Sequence, residues 1–86
     1  MAFNKLNQQQ PTKAPAKLIR KGALSVSIWK REHEGKTYYD ATPSRAYTPD
    51  DGKTWEYVNT FSTDDLATLA NLLLMSQAWI INQPTT

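Results

Sequence analysis

Leu24, Val26 and Ile28 alternate with Ser25, Ser27 and Trp29, a period of two that predicts a strand from Ala23 to Arg31. The first set faces a core. The second set, continued by Arg31, lies on the opposite face. Glu34-Gly35 is a turn sequence, and Lys36 to Tyr47, rich in Thr and Tyr, reads as the returning strand. Thr37, Tyr39 and Ala41 point inward and Tyr38, Asp40 and Thr42 outward. Pro43 has no N–H to give to a ladder, so an edge or a bulge is expected there, and a bulge leaves the facing of Arg45 and Tyr47 open. Upstream, Lys17 to Lys21 is either a short first strand or the lead into the sheet, with Gly22 marking a bend or bulge. Pro49-Asp50-Asp51-Gly52 is a strong turn sequence. Thr54 to Phe61, carrying Trp55, Tyr57, Val58 and Phe61, is a further strand.

Ser62-Thr63-Asp64-Asp65 starts a helix. Ser62 or Thr63 caps it, the aspartates suit the positive end of its dipole, and it runs to about Asn82, short of Pro84. Leu66, Leu69, Ala70, Leu73 and Ile80 fall at helical spacing and are expected to pack on Leu24, Val26 and Ile28. Leu72, Met75 and Trp79 form a second set, away from the first. No residue between Leu66 and Ile81 is charged. A helix apolar on two faces is buried on two faces, and one sheet covers only one of them. A second copy across a two-fold axis would cover the other, which makes Leu72, Met75 and Trp79 the candidate interface of a homodimer.

Composition narrows the possibilities. The chain has 86 residues, enough for one domain and too few for a doubly wound nucleotide fold or a barrel enzyme. It has no cysteine, which removes disulfides, thiolate zinc sites and thiol nucleophiles. Neither a signal peptide nor a membrane span is visible, so the expected location is the cytoplasm. Residues 1–16, with Gln8-Gln9-Gln10, Pro11 and Pro15, read as a disordered basic tail. Residues 17–82 form the folded domain, and 83–86 a short tail. Between Met1 and Ala23 stand Lys5, Lys13, Lys17, Arg20 and Lys21 without one acid, although the whole chain is only +2. A basic arm on a nearly neutral body suits a polyanionic partner, or serves simply for solubility.

One sheet under one helix leaves its other face to water. Here that face carries Ser27, Trp29, Arg31 and Tyr38, with Lys36, Arg45, Tyr47 and Lys53 at or near the hairpin ends and Arg20 and Lys21 on the basic arm. Every nucleobase offers a π-face to an aromatic ring, and cations between the rings follow the phosphates. The pattern is that of a platform for single-stranded nucleic acid. Sheet proteins also use Trp and Tyr in strands because they fit there. Trp55, Tyr57 and Tyr39 are read as core or interface positions instead.

Leu24 to Trp29, the Glu34-Gly35 hairpin, Ser44-Arg45-Ala46-Tyr47, Gly52 before Trp55, and Phe61-Ser62-Thr63-Asp64-Asp65-Leu66 together carry a resemblance. In their order and spacing, over Lys17 to Asn82, they resemble a small family of prokaryotic and phage proteins sharing the fold of the transcriptional coactivator positive cofactor four. The resemblance implies an α+β fold: a curved four-stranded antiparallel sheet and one C-terminal helix, paired as a homodimer. It further implies single-stranded DNA bound along the sheet without strong sequence preference, in transcription, replication or recombination. In that family a basic, aromatic hairpin and a strand-borne Arg followed by an aromatic hold the strand. Trp29, Arg31 and Lys36 match the hairpin, and Arg45 and Tyr47 match the pair. Two features depart from the pattern. The run Glu32-His33-Glu34 puts two acids in the hairpin, Glu32 and Glu34, where they repel phosphate, and Pro43 interrupts a strand that is regular in the coactivator.

Other chemistry finds little support. His33, the single histidine, sits between Glu32 and Glu34 in a turn, a spacing unlike structural zinc sites. Asp50-Asp51 and Asp64-Asp65 are explained by a turn and a helix start. The three glycines stand singly and make no phosphate loop. No enzyme activity, metal or cofactor is expected. Two alternatives remain beside single-stranded DNA: RNA as the ligand, and a protein-interaction module that docks on a polymerase or recombinase.

Overall fold

The computed structural model describes residues 14–84. Most of the tail expected over residues 1–16, with Lys5 and Lys13, and the end of the 83–86 tail lie outside the described residues. The elements are β1 (Lys17–Lys21), β2 (Leu24–His33), β3 (Lys36–Tyr47), β4 (Glu56–Val58) and α1 (Leu66–Ile81), with a 3-10 turn at Thr63–Asp65 leading into the helix. Successive strands pair antiparallel in the order β1-β2-β3-β4. The fold is thus the expected four-stranded antiparallel sheet with one C-terminal helix. Lys17–Lys21 is a true strand, and just before it Ala16 N–H donates to Ile28 O at 2.7 Å.

Local chemistry sets the connections. Glu34 and Gly35 both have positive φ (52° and 80°), the mirror-image two-residue turn whose twist matches the strands it joins. The longer β3–β4 connection is organised by Asp50. Its carboxylate accepts from Thr54 N–H at 2.8 Å, Thr54 Oγ1 at 2.9 Å and Thr48 Oγ1 at 3.2 Å. At the helix start, the Asp65 carboxylate accepts from Ser62 N–H at 3.3 Å and Ser62 Oγ at 3.0 Å. These bonds satisfy groups that the first helical turn would leave without partners.

Of the two outcomes expected at Pro43, an edge or a bulge, the structure has the edge and not the bulge: β2 and β3 pair without interruption from Leu24↔Arg45 to His33↔Lys36, with Pro43 opposite Val26, while β4 pairs only with Arg45, Ala46 and Tyr47. Ala46 N–H donates to Ala23 O at 2.9 Å, so in the alternating ladder the N–H groups of Ala46, Ser44 and Thr42 aim at β2. The nitrogen of Pro43 points the other way, toward β4, and no β2 bond is lost. The expected span of β4, Thr54 to Phe61, is corrected: it is only Glu56–Val58. Extending its register by two residues sets Pro43 opposite Thr60, where there is no backbone donor. Arg45 Nε donates to the Thr60 carbonyl instead, at 3.0 Å. At the other end, Thr54 is held by Asp50.

The core is Leu24, Val26, Ile28 and Leu72, with Ile19, Tyr39, Phe61, Leu69, Trp79 and Ile80 packed against it. This corrects the rotation of the helix. Leu72, expected on the outer face, is only 3% exposed, and Trp79, expected beside it, meets Tyr39 edge-to-face at 5.7 Å. Leu66, Ala70 and Leu73, expected on the sheet, are exposed. The reason is Ser76. It sits inside the buried arc defined by Leu69, Leu72, Trp79 and Ile80, and its hydroxyl donates to Leu72 O at 2.8 Å, so its one donor is satisfied within the helix. A polar residue at the centre of the contact face hides that face from the periodicity. Of the expected interface residues, Met75 alone is largely exposed. Leu72→Ala is expected to destabilise the protomer by about 2–5 kcal/mol and Met75→Ala by less than about 0.5 kcal/mol in urea denaturation; equal effects would contradict this rotation.

Candidate nucleic-acid interface

Cross-strand partners share a face, so the register gives the composition of the side of the sheet opposite α1. Its rows are Arg20, Ser25 and Ser44; Leu18, Ser27 and Thr42; Trp29 and Asp40; Arg31 and Tyr38; and His33 and Lys36. Ala46 and Tyr57 extend it at the other end. Its centre is a floor of small hydroxyls, where Ser25 Oγ and Ser44 Oγ lie 3.2 Å apart. Residues 30–33 and 36 are all exposed, so the β2–β3 hairpin projects past the helix.

At the hairpin end, Arg31 is held from two sides. Its Nε donates to Asp40 Oδ2 at 2.7 Å, and its Nη2 to Oδ1 at 3.3 Å. Its guanidinium carbon lies 5.2 Å from the centre of the Tyr38 ring. Trp29, half-buried, stands opposite Asp40. The hydrogen bond from Arg31 holds the Asp40 carboxyl below its ordinary value, and the same bond raises the guanidinium further. The acids expected to disturb the hairpin are arranged differently from one another. Glu32 lies on the helix side of the sheet with Thr37, and 3.9 Å from Lys30 Nζ, while Glu34 is in the turn. Asp40 is the acid on the open face, and it is engaged by Arg31.

The residues expected to act together are thus only partly brought together. Arg20, Ser27, Trp29, Arg31, Lys36 and Tyr38 share the open face. Lys21 pairs with Leu24 and so lies on the helix side at the sheet edge, and Lys53 is in the β3–β4 turn. Arg45 and Tyr47 also belong to the helix side, because the uninterrupted register gives them the parity of Leu24. They have structural partners there. Besides Thr60 O, Arg45 Nε lies 3.9 Å from Asp65 Oδ2 and its guanidinium 5.7 Å from the Tyr47 ring, while Tyr47 Oη donates to Glu56 at 2.9 Å. That hydrogen bond to Glu56 raises the Tyr47 phenol above its ordinary value. The cluster ties β3 and β4 to the helix start.

Trp55 and Tyr57, read from the sequence as core or interface positions, lie outside the protomer core at 57% and 71% exposure. With Arg20, Gly22, Ala23 and Ala46 they line a depression of ≈ 380 Å³ at the end of the sheet away from the hairpin. The alternation of Trp55 and Tyr57 around Glu56 is the signal in the sequence; the register sets the face of Tyr57, and Trp55, just before β4, borders the same depression.

Among the described residues no helix is long and apolar enough to cross a membrane, and no group of His, Asp or Glu side chains is gathered to hold a metal ion. No family model matches the chain, and neither a curated protein nor a solved structure matches it. The functional reading therefore rests on the residues themselves.

Because Asp40 has a lowered pKa, its pair with Arg31 holds above the ordinary carboxylate range and is lost as pH falls through that lowered value. In Arg31→Gln, Asp40 is expected to titrate at higher pH than in the wild type, as followed by carboxyl NMR. An unchanged midpoint would mean that the pair does not persist in solution.

Proposed function

We propose that this protein binds single-stranded nucleic acid, with DNA as the primary ligand, on the open face of its sheet, and that it works as a homodimer in transcription, replication or recombination. The observation that carries the reading is one β surface, uncovered among the described residues, presenting Trp29, Tyr38, Arg31 and Lys36 together. Bases stack on the rings at about 1–3 kcal/mol each, whatever their identity. Lys36, at the exposed hairpin tip, meets phosphate, and Arg31 offers its flat face beside Tyr38 while its edge is held by Asp40. The hydroxyl floor adds donors and acceptors without bulk. Small hydroxyls and rings read no particular base edge, which supports binding with little sequence preference. The resemblance to relatives of positive cofactor four agrees with this reading.

Support for the homodimer is the outer arc of α1. Leu66, Ala70, Leu73, Leu74 and Ile81 follow helical spacing, all are exposed, and no charged residue interrupts them. Leu74 and Ile81 are 62% and 70% exposed. An uncharged, largely apolar stripe, with Gln77 on the same arc, is complementary to its own copy across a two-fold axis, and covering it removes the patch from water.

In a salt titration against oligo-dT and a duplex of equal length, the single strand is expected to bind more tightly, with affinity falling steeply as salt rises. Trp29→Ala should weaken binding to the single strand roughly ten-fold. Equal or better binding to the duplex would sink the stacking mechanism. For the dimer, Leu74→Glu is expected to halve the sedimenting mass; a wild-type protein that already sediments as a monomer refutes that part.

A further inference from the structure

We propose that Arg20, Trp55 and Tyr57 form a second base-stacking station, at the end of the open face away from the hairpin, so that one strand is gripped at two places across the hydroxyl floor. This rests on the single-strand reading above and deepens it.

Tyr57 faces Ala46 across β3–β4, and Ala46 faces Ala23 across β2–β3. Both neighbours stop at Cβ, so no side chain in that row covers the ring. Trp55, two residues earlier and just before β4, borders the same depression of ≈ 380 Å³. A second depression, of ≈ 240 Å³, adjoins it through Arg20, Ala23, Ala46 and Tyr57 and continues onto Ser25, Ser27 and Ser44. The two hollows form a continuous path from the exposed rings to the hydroxyl floor.

Charge chooses the occupant. Arg31 is committed to Asp40, and Arg45 to Thr60 O and Asp65. The side chain of Arg20, the remaining arginine, has no hydrogen bond, ion pair or ring contact among the described residues. It lies on the open face opposite Ser25, on the wall shared by both hollows. A free guanidinium beside two open rings has the composition of the hairpin station, with its donors unspent. An apolar or cationic partner would leave that charge uncompensated, whereas a phosphate with bases on either side satisfies cation and rings together. From the Ala46 row to the Asp40 row is six residues of β3, about 20 Å, which only a strand of several nucleotides bridges.

The test is a length series of oligo-dT, measured by fluorescence anisotropy at constant salt, for wild type, Trp55→Ala/Tyr57→Ala, Arg20→Gln and Trp29→Ala, with melting curves and sedimentation for each. Wild type is expected to gain affinity in a step once the oligomer reaches both stations. The Trp55→Ala/Tyr57→Ala variant should keep the affinity for short oligomers, lose the step, and bind the long strand about ten-fold or more weakly. Arg20→Gln should lower the salt slope for the long strand by about one ion while leaving that for the short strand unchanged. A double variant that follows the wild-type length curve overturns the second station. If Trp29→Ala still weakens binding in that case, the single-strand reading stands without it; if no variant affects binding, both fall. A double variant that sediments at lower mass than wild type makes Trp55 and Tyr57 a contact between copies and also overturns the proposal.

Discussion

The structure depends on the parity of β2. Leu24, Val26 and Ile28 are sealed against Leu72, and this contact fixes which side of every other strand faces the helix. A one-residue slip would exchange the two faces completely, putting Trp29 and Arg31 under the helix and the aliphatic residues in water. The uninterrupted pairing of β2 with β3 carries the same choice to Tyr38 and Asp40, and β1 and β4 carry it to Arg20 and Tyr57. The open surface is therefore a product of the core: each apolar residue sent inward sends its chain neighbours outward.

How much of this was legible follows from how local each signal is. The β2 alternation, the Glu34-Gly35 turn and the acidic helix start are written within a few residues, and the structure has all three where the pattern puts them. The rotation of α1 was not legible, because the helix is apolar on nearly every side and its buried centre is a serine. Ser76 satisfies its hydroxyl on the Leu72 carbonyl, one turn back, and so occupies a place that hydrophobicity alone would give to another residue. The face of Arg45 and Tyr47 depended on whether Pro43 bulges, and that is settled by which neighbour its nitrogen points to, a property of the ladder and not of the residue.

Within the open face, the hairpin residues Trp29, Arg31 and Tyr38 could be found from alternation alone. Trp55 and Tyr57 could not, because a turn of uncertain length separates them from β3 and any register was open to them. The Arg-plus-aromatic pair depended on the register in the same way: Arg45 and Tyr47 lie on the helix side, where they brace β4 and the helix start.

Pro43 has a consequence for how molecules of this chain meet one another. Beyond its three paired residues, β3 has no strand on one side of its backbone among the described residues, the kind of border on which stray chains add and sheets grow into insoluble fibres. A ring nitrogen in that border offers nothing to an arriving strand, and the guanidinium of Arg45, drawn across to Thr60, fills the adjoining place. The same proline that stops β4 early thereby guards the border against self-adhesion, and it does so without taking a single bond from the pairing that holds the sheet together.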